Sequence, residues 1–541
     1  MNVARQTEYD IQSRLIRALL TSMRNQATLK DVRLIETHIS WVMLAGRYAY
    51  KIKKAVDLGF LSFVGLEARH HYCEEEIRLN RRLAPGIYLN VIAIGGSAEN
   101  PLFGAQPAIE YAVRMRRFAV SKQLDRLVAN HKILPRHMDR LAATIAEFHR
   151  NLPAAGVDSA FGTADAVRLA AEENFGQLQV LLTEQRDLDV LAALRRDSDN
   201  EYAACRSLFE QRLAQGYVRE CHGDLHLGNI VLIDDQPVPF DGIEFNPALR
   251  WIDVMSEVAF TVMDMLHYQR AALAWRFLNA YLEATGDYAG IPLLRFYIAY
   301  RSMVRAKVGA IRASQLAQSS LIAAEAWAEC RGYLDLAGRF FARRRAALII
   351  THGLPGSGKT TFSQIALEKM QAIRVRSDVE RKRLFGLDAL ADSRASGGKF
   401  LYSAEISQRT YARLKELARE LLSAGYTVIV DAAFLKQQER EQFYRLAHEL
   451  QVAFAIASIQ ASEAALRARI VQRHEAASDA SEADIAVLEK LTHAQQPLSA
   501  EEKSMTASFI NEGAGFAVDS VAWDSLYQQL GKDKSDVPGH T

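Results

Sequence analysis

Cysteine is scarce in this 541-residue chain, and its four cysteines include no C-x-x-C pair. Cys73, Cys205, Cys221 and Cys330 are scattered, which argues against a disulfide framework or a cysteine zinc site and suits a reducing compartment. An excess of one charge is missing too: 66 Lys and Arg against 64 Asp and Glu leave a formal charge of +2. That balance gives no reason to expect a nucleic-acid or membrane surface. No apolar run reaches the roughly 18 to 20 residues of a membrane span, and Met1 to Leu20 lacks a signal-peptide core. No internal repeat is found. What remains, 49% apolar and 24% charged, reads as an ordinary soluble cytoplasmic protein of two or three domains.

The most informative stretch is Gly353-Leu354-Pro355-Gly356-Ser357-Gly358-Lys359-Thr360, the G-x-x-x-x-G-K-T pattern that cradles phosphates. It follows the apolar run Leu348-Ile349-Ile350 and precedes a helix-compatible segment beginning at Thr361, which is the context the pattern needs. Its glycines let backbone N–H groups approach the β- and γ-phosphates at the positive end of a helix. Lys359 adds a point charge there, and Thr360 a hydroxyl for Mg²⁺. Strands are expected at Ala347–Thr351, Ile373–Arg376, Thr427–Val430 and Ala453–Ser458, with helices between them. Asp378 follows the second strand, where it can orient an acceptor hydroxyl, take its proton or cap a helix. Asp431 ends a Walker-B-like strand and is expected to stabilise Mg²⁺. On a later helix Arg467, Arg469 and Arg473 offer either a solvated face or, for Arg469 and Arg473 at i, i+4, a clamp on the transferring phosphate.

A second constellation lies upstream. The first 115 residues read as strands with one inserted helix, Glu67 to Leu83; His38–Leu44 and Tyr48–Lys53 form a hairpin through Ala45-Gly46-Arg47. Residues from about Ser121 to Ala214 read as helical. Then His222-Gly-Asp224-Leu-His226-Leu-Gly-Asn229 leads through a hairpin to Asp241, and helices run from Trp251 to about Phe341. Asp224 can accept a hydroxyl proton, while Asn229 and Asp241 can hold Mg²⁺ ions bridging ATP phosphates. Lys51, with Lys53 as its rival on the same strand face, fits the lysine that binds the α- and β-phosphates; Glu76 is its expected partner, ahead of Glu75 and Glu74. His222 and His226 are expected to brace the loop.

H-G-D-L-H-x-G-N at 222–229 and Asp241-Gly-Ile-Glu-Phe245 make residues 30–330 resemble the aminoglycoside phosphotransferase family, with its protein-kinase-like fold. That resemblance implies Asp224 as catalytic base, Asn229 and Asp241 as metal ligands, and Asp253 as a brace for the catalytic loop. Gly242-Ile243-Glu244 departs from the usual aromatic-then-acidic continuation, and no acidic cluster suited to a polycationic antibiotic is present. Residues 346–510, with S-D-x-x-R-K-x-L at 377–384, resemble small P-loop kinases such as gluconate kinase and the zeta-toxin and chloramphenicol phosphotransferase group. The whole order resembles a bacterial family of fused aminoglycoside-phosphotransferase-like and ATP-binding proteins.

The expected fold is therefore multidomain, α+β then α/β. A bilobal kinase-like domain spans 1–342 and a P-loop kinase domain with a parallel sheet spans 343–541, divided at Arg343-Arg344-Arg345. Nucleotide binding falls to Lys51, Glu76 and Gly353 through Thr361; catalysis to Asp224, Asp378, Arg469 and Arg473; metal binding to Asn229, Asp241, Thr360 and Asp431. ATP and Mg²⁺ are the expected cofactors and a small-molecule hydroxyl the acceptor. An ATP-sensing regulator with one inactive site, and a polynucleotide or nucleotide-sugar kinase, are the rival readings.

Overall fold

A computed structural model describes residues 3–26, 31–57, 59, 61–317, 320–342, 345–387, 403–476, 484–513, 516 and 520–532. Arg343 and Arg344 of the seam, and the polar tail from 533, lie outside the described residues. Two compact units emerge: residues 1–173 with 206–264, and 174–205 with 265–541.

The first unit contains a six-stranded antiparallel sheet of β1 (Arg33–Glu36), β2 (Ser40–Ala45), β3 (Tyr48–Lys53), β4 (Tyr88–Gly96), β5 (Pro101–Phe103) and β6 (Ala108–Arg116). Their order is β1-β2-β3-β6-β4-β5. The N-terminal helix Val3–Asn25 lays Leu15, Ile16, Leu19 and Met23 onto Trp41, Met43 and Ile52, in an apolar cluster that buries its stripe. The helix Leu66–Asn80 lies against β4 and β6, with Cys73 and Ile77 packed among Tyr88 and Val113. Further along, β7 (Val218–Glu220) pairs with β10 (Trp251–Asp253), and β8 (Ile230–Ile233) with β9 (Gln236–Pro239). The β8–β9 turn holds Asp234 and Asp235 at φ 48° and 63°, the left-handed pair of a primed hairpin turn. Asp235 is fixed there by Arg136 at 3.0 Å and His137 at 2.7 Å.

In the second unit five parallel strands, β11 (Ala347–His352), β12 (Ile373–Arg376), β13 (Val428–Asp431), β14 (Ala453–Gln460) and β15 (Thr506–Ile510), stand in the order β12-β13-β11-β14-β15. β11 and β13 are buried along their whole length, the near-continuous apolar run of a covered parallel strand. The helices Ala271–Thr285, Ile291–Ser314 and Leu321–Phe341 belong to this unit.

That grouping differs from a division at 342/343, and the reason is polar as well as apolar. Asn279 donates from Nδ2 to Ala372 O at 3.0 Å and accepts from Arg374 N at 2.7 Å, so its amide pairs with β12 as a neighbouring peptide would. Tyr288 Oη donates to Arg374 O at 3.2 Å. Charged side chains within the Ala271–Thr285 helix hid this buried face. Strand β15 also escapes the sequence reading: it is a short edge strand whose burial alternates. No described helix is long and apolar enough to cross a membrane.

Candidate active sites

In the first unit, β3 and the helix Leu66–Asn80 bring two lysines to one glutamate. Lys51 Nζ lies 2.9 Å from Glu76 Oε1, and Lys53 Nζ 2.7 Å from Glu76 Oε2. Residues two apart on a strand share a face, so the rival lysines both arrive. They then diverge. Lys51 reaches Asp241 at 2.5 Å, whereas Lys53, fully buried, pairs with Glu244. Burial alone would raise the Glu76 carboxyl, but Lys51 and Lys53 together hold it below the ordinary carboxylate range. Burial would likewise lower Lys51, and Asp241 and Glu76 overcome it, keeping the ammonium charged. Glu74 lies beside His70 instead, and Glu75 binds Arg78.

The 222–229 loop packs beside β8 and β9. Phe240 N donates to Asn229 O at 2.9 Å, which draws Asp241 next to Asn229. Asn229 Nδ2 donates to Asp224 Oδ2 at 2.9 Å, so its Oδ1 is the atom left to hold a cation. Asp241 sits at φ 63°, and its N–H donates to Tyr88 Oη at 3.0 Å. His222 braces the loop: it contacts Phe240 O at 2.9 Å, and burial lowers its pKa. His226 caps its own turn through Gly228 N at 3.0 Å and lies 3.5 Å from Asp224 Oδ2.

Asp253 does not take the position expected of it. It forms a buried pair with Arg212, at 2.7 and 2.8 Å, and caps Met255 N. The 222–229 loop is instead held by Glu257, which accepts from Gly223 N at 2.7 Å, and Asp264, which accepts from Leu227 N at 2.8 Å. His149 supports Glu257 at 2.8 Å. Both carboxylates lie in the apolar helix Val254–His267, and buried acids in such a helix were the available sequence signal. Asn80, which accepts from Gly242 N at 2.7 Å, carried no comparable signal.

In the second unit the loop between β11 and the helix Lys359–Met370 has Gly353 at φ 151°, Gly356 at 82° and Gly358 at 100°. A Cβ on Gly353 would meet Ile459 O at 2.4 Å, and one on Gly358 would meet Asn511 Nδ2 at 2.2 Å. Only glycine fits such positions. A cavity of 420 Å³ lies over this loop, and its lining joins Lys359, Thr360, Asp378, Asp431 and Arg469. Ser363 Oγ donates to Asp431 Oδ2 at 2.9 Å, and Arg381 pairs with Asp378 at 2.8 Å. Arg469 donates to Gly356 O at 3.2 Å and to Asn511 O at 2.9 Å. Arg467 turns to surface partners Glu463 and Glu489, and the side chain of Arg473 lies outside the described residues. Arg376, next to the 377–384 motif, also lines the cavity, as do Tyr411, Lys436, Glu439 and Lys490 from segments that no short motif marks.

An AAA domain model matches residues 348–498, which contain this loop. Across 455 residues the chain is 31% identical to an uncharacterized protein of Mycobacterium tuberculosis, covering 83% of this chain and 88% of that one. A Mycobacterium bovis protein matches to the same extent. The chain belongs to their family. The shared stretch is longer than either motif-bearing half, so it takes in residues of both. Among solved structures, a choline/ethanolamine kinase family protein from Mesorhizobium loti is 12% identical, with 61% of this chain and 98% of that one covered at a TM-score of 0.37. A complex of amicoumacin kinase is 14% identical, with coverages of 63% and 96% and a TM-score of 0.39. A gluconokinase from Sinorhizobium meliloti is 16% identical, with coverages of 35% and 92% and a TM-score of 0.24.

Proposed function

We propose that this family member is an ATP- and Mg²⁺-dependent phosphotransferase with two nucleotide sites, each moving the γ-phosphoryl group to a hydroxyl of a small molecule. The observation that carries the reading is the single 420 Å³ cavity shared by Lys359, Thr360 and Asp431 on the phosphate side and Asp378 on the acceptor side.

The residues fit the groups assigned to them. Ser357 Oγ, 1% exposed within the loop, has no hydrogen-bond partner among the described residues, which suits an incoming phosphate oxygen. Thr360 and Asp431 offer the hard oxygens that Mg²⁺ prefers, and in the first site Asn229 and Asp241 offer the same chemistry. When bound, Mg²⁺ would neutralise charge on the phosphate oxygens. The loop from Gly353 to Thr361 would orient the triphosphate, Lys359 and Arg469 would offset charge growing on the transferred group, and Asp378 would take the acceptor proton. The acceptor oxygen bonds to phosphorus as the bond to the ADP oxygen breaks. Lys51, held by Glu76, and Asp224 would have the matching roles in the first site. By motif, 1–342 carries the kinase-like function and 343–541 the P-loop function.

Screening hydroxyl compounds for acceptor-dependent ADP formation tests this on the full chain. Lys359→Ala should abolish the activity of one site, and Asp224→Asn should strongly reduce that of the other. ATP binding without ADP formation for any acceptor class would favour the ATP-sensing reading.

A further inference from the structure

The P-loop strands leave one side of their carboxyl edge to a helix that precedes them in the chain. Glu283, on the helix Ala271–Thr285, lies partly buried between two arginines of β12. Its Oε1 accepts from Arg374 Nε at 2.8 Å and lies 2.6 Å from Nη2, while Oε2 is 3.4 Å from Arg376 Nη1. Burial would raise this carboxyl, but Arg374 and Arg376 hold it below its ordinary range, so the helix delivers a full negative charge.

Both arginines continue into the candidate phosphate site. Arg374 Nη1 donates to Thr360 O at 3.4 Å and to Ser363 Oγ at 3.3 Å, and Ser363 in turn donates to Asp431. Arg376 Nε stands 4.0 Å from Asp431 Oδ2, and Arg376 lines the cavity. Two carboxylates, Glu283 and Asp431, thus compete for one guanidinium. While Glu283 holds Arg376, the charge of Asp431 stays available to a divalent cation.

We propose that Glu283 is a positioning residue for the P-loop site, restraining Arg376 so that Asp431 and Thr360 can serve Mg²⁺. The proposal rests on the phosphotransferase reading of that site. It makes the Ala271–Thr285 helix, which lies before the seam, part of the P-loop machinery, so the segment 343–541 alone lacks a needed charge.

The test uses the full-length protein and a fluorescent ATP analogue, with Mg²⁺ titrated at fixed nucleotide. The signal that Lys359→Ala removes reports the P-loop site, separate from the Lys51 site. Glu283→Gln should raise the Mg²⁺ concentration for half-maximal binding roughly fivefold or more, the usual size of a charge coupling. Glu283→Asp, which keeps the charge, should bring it back towards wild type. The double variant Glu283→Gln/Arg376→Gln should return it to within about twofold of wild type, since the guanidinium that turns on Asp431 is gone. A purely structural role would lower the amplitude and leave the Mg²⁺ midpoint unmoved, and that result overturns the proposal. If Glu283→Gln fails to fold, Arg376→Gln alone decides: it should lower the Mg²⁺ requirement, and an unchanged or higher requirement overturns the idea. Wild-type protein with no Lys359-dependent nucleotide signal would instead remove the P-loop reading, and this inference with it.

Discussion

Lys51 meets Asp241 across 190 residues of chain, whereas the cradle from Gly353 to Thr361 is made within one loop and the first turn of one helix. The first candidate site is a gathering of side-chain charges: two buried lysines, two buried glutamates and a half-exposed aspartate, each stabilised by the others. The second depends first on backbone freedom, at three glycines whose φ angles and near contacts tolerate no side chain. The difference teaches how each should fail. A charge cluster breaks when one member leaves its partners unpaired in a dry interior. A backbone cradle breaks when the chain can no longer turn.

The sharpest way to break the comparison is at the acceptor-side aspartate of the first site. Asp224→Asn should cut turnover of the first site by roughly 10² to 10⁴-fold, with nucleotide binding kept, as expected for a lost general base. Steady-state kinetics with a productive acceptor checks it, and a variant that loses only thermal stability would make Asp224 a turn residue. Next come the paired lysines. Lys53→Ala strands Glu76 and Glu244 without their fully buried cation and should cost about 3 to 5 kcal/mol of stability, read by denaturant unfolding. Lys51→Ala should instead lose nucleotide affinity with a smaller stability change. Equal effects of the two on both readouts would merge their roles.

The smallest effect concerns pH in the second unit. His352, which ends β11, is pushed down to about 4 by burial and by Arg440 and Lys359 nearby. The folded protein therefore keeps it neutral while an unfolded histidine protonates near pH 6.5. Stability present above that pH is lost as pH falls from about 6.5 towards 4, by about 2 kcal/mol between pH 7 and pH 5. His352→Gln should flatten that part of the stability profile; an unchanged slope would put the acid sensitivity elsewhere.

How much of this could be read from residues alone follows the same division. The P-loop was legible because its chemistry is local: glycine spacing, Lys359 and Thr360 are adjacent in sequence and remain so in space. Asp378 and Asp431 were legible as the ends of strands whose apolar runs are plain. In the first site the motif 222–229 and Asp241 were readable, and so was the pair Lys51 and Lys53, but which lysine went to which acid was not. Period-two spacing puts both on one face, and only the path of Phe240 to Phe245 separates Asp241 from Glu244 as their partners. Glu257 and Asp264 were missed because their loop partners lie more than thirty residues away. The place of the Ala271–Thr285 helix was missed because its contacts with β12 run through Asn279 and Glu283, polar residues that a hydrophobic pattern assigns to water.

The amide of Asn279 has a further consequence. β12 is the outer strand of its sheet, and an outer parallel strand exposes a row of N–H and C=O groups able to recruit a foreign chain. Asn279 occupies Ala372 O and Arg374 N, and Tyr288 occupies Arg374 O. Two side chains thus stand where a sixth strand would pair, and they occupy groups that a foreign chain would need. A chain begun after Thr285 would keep Tyr288 but lose Asn279, leaving Ala372 O and Arg374 N open to a foreign strand, and its first failing would be the growth of intermolecular sheet.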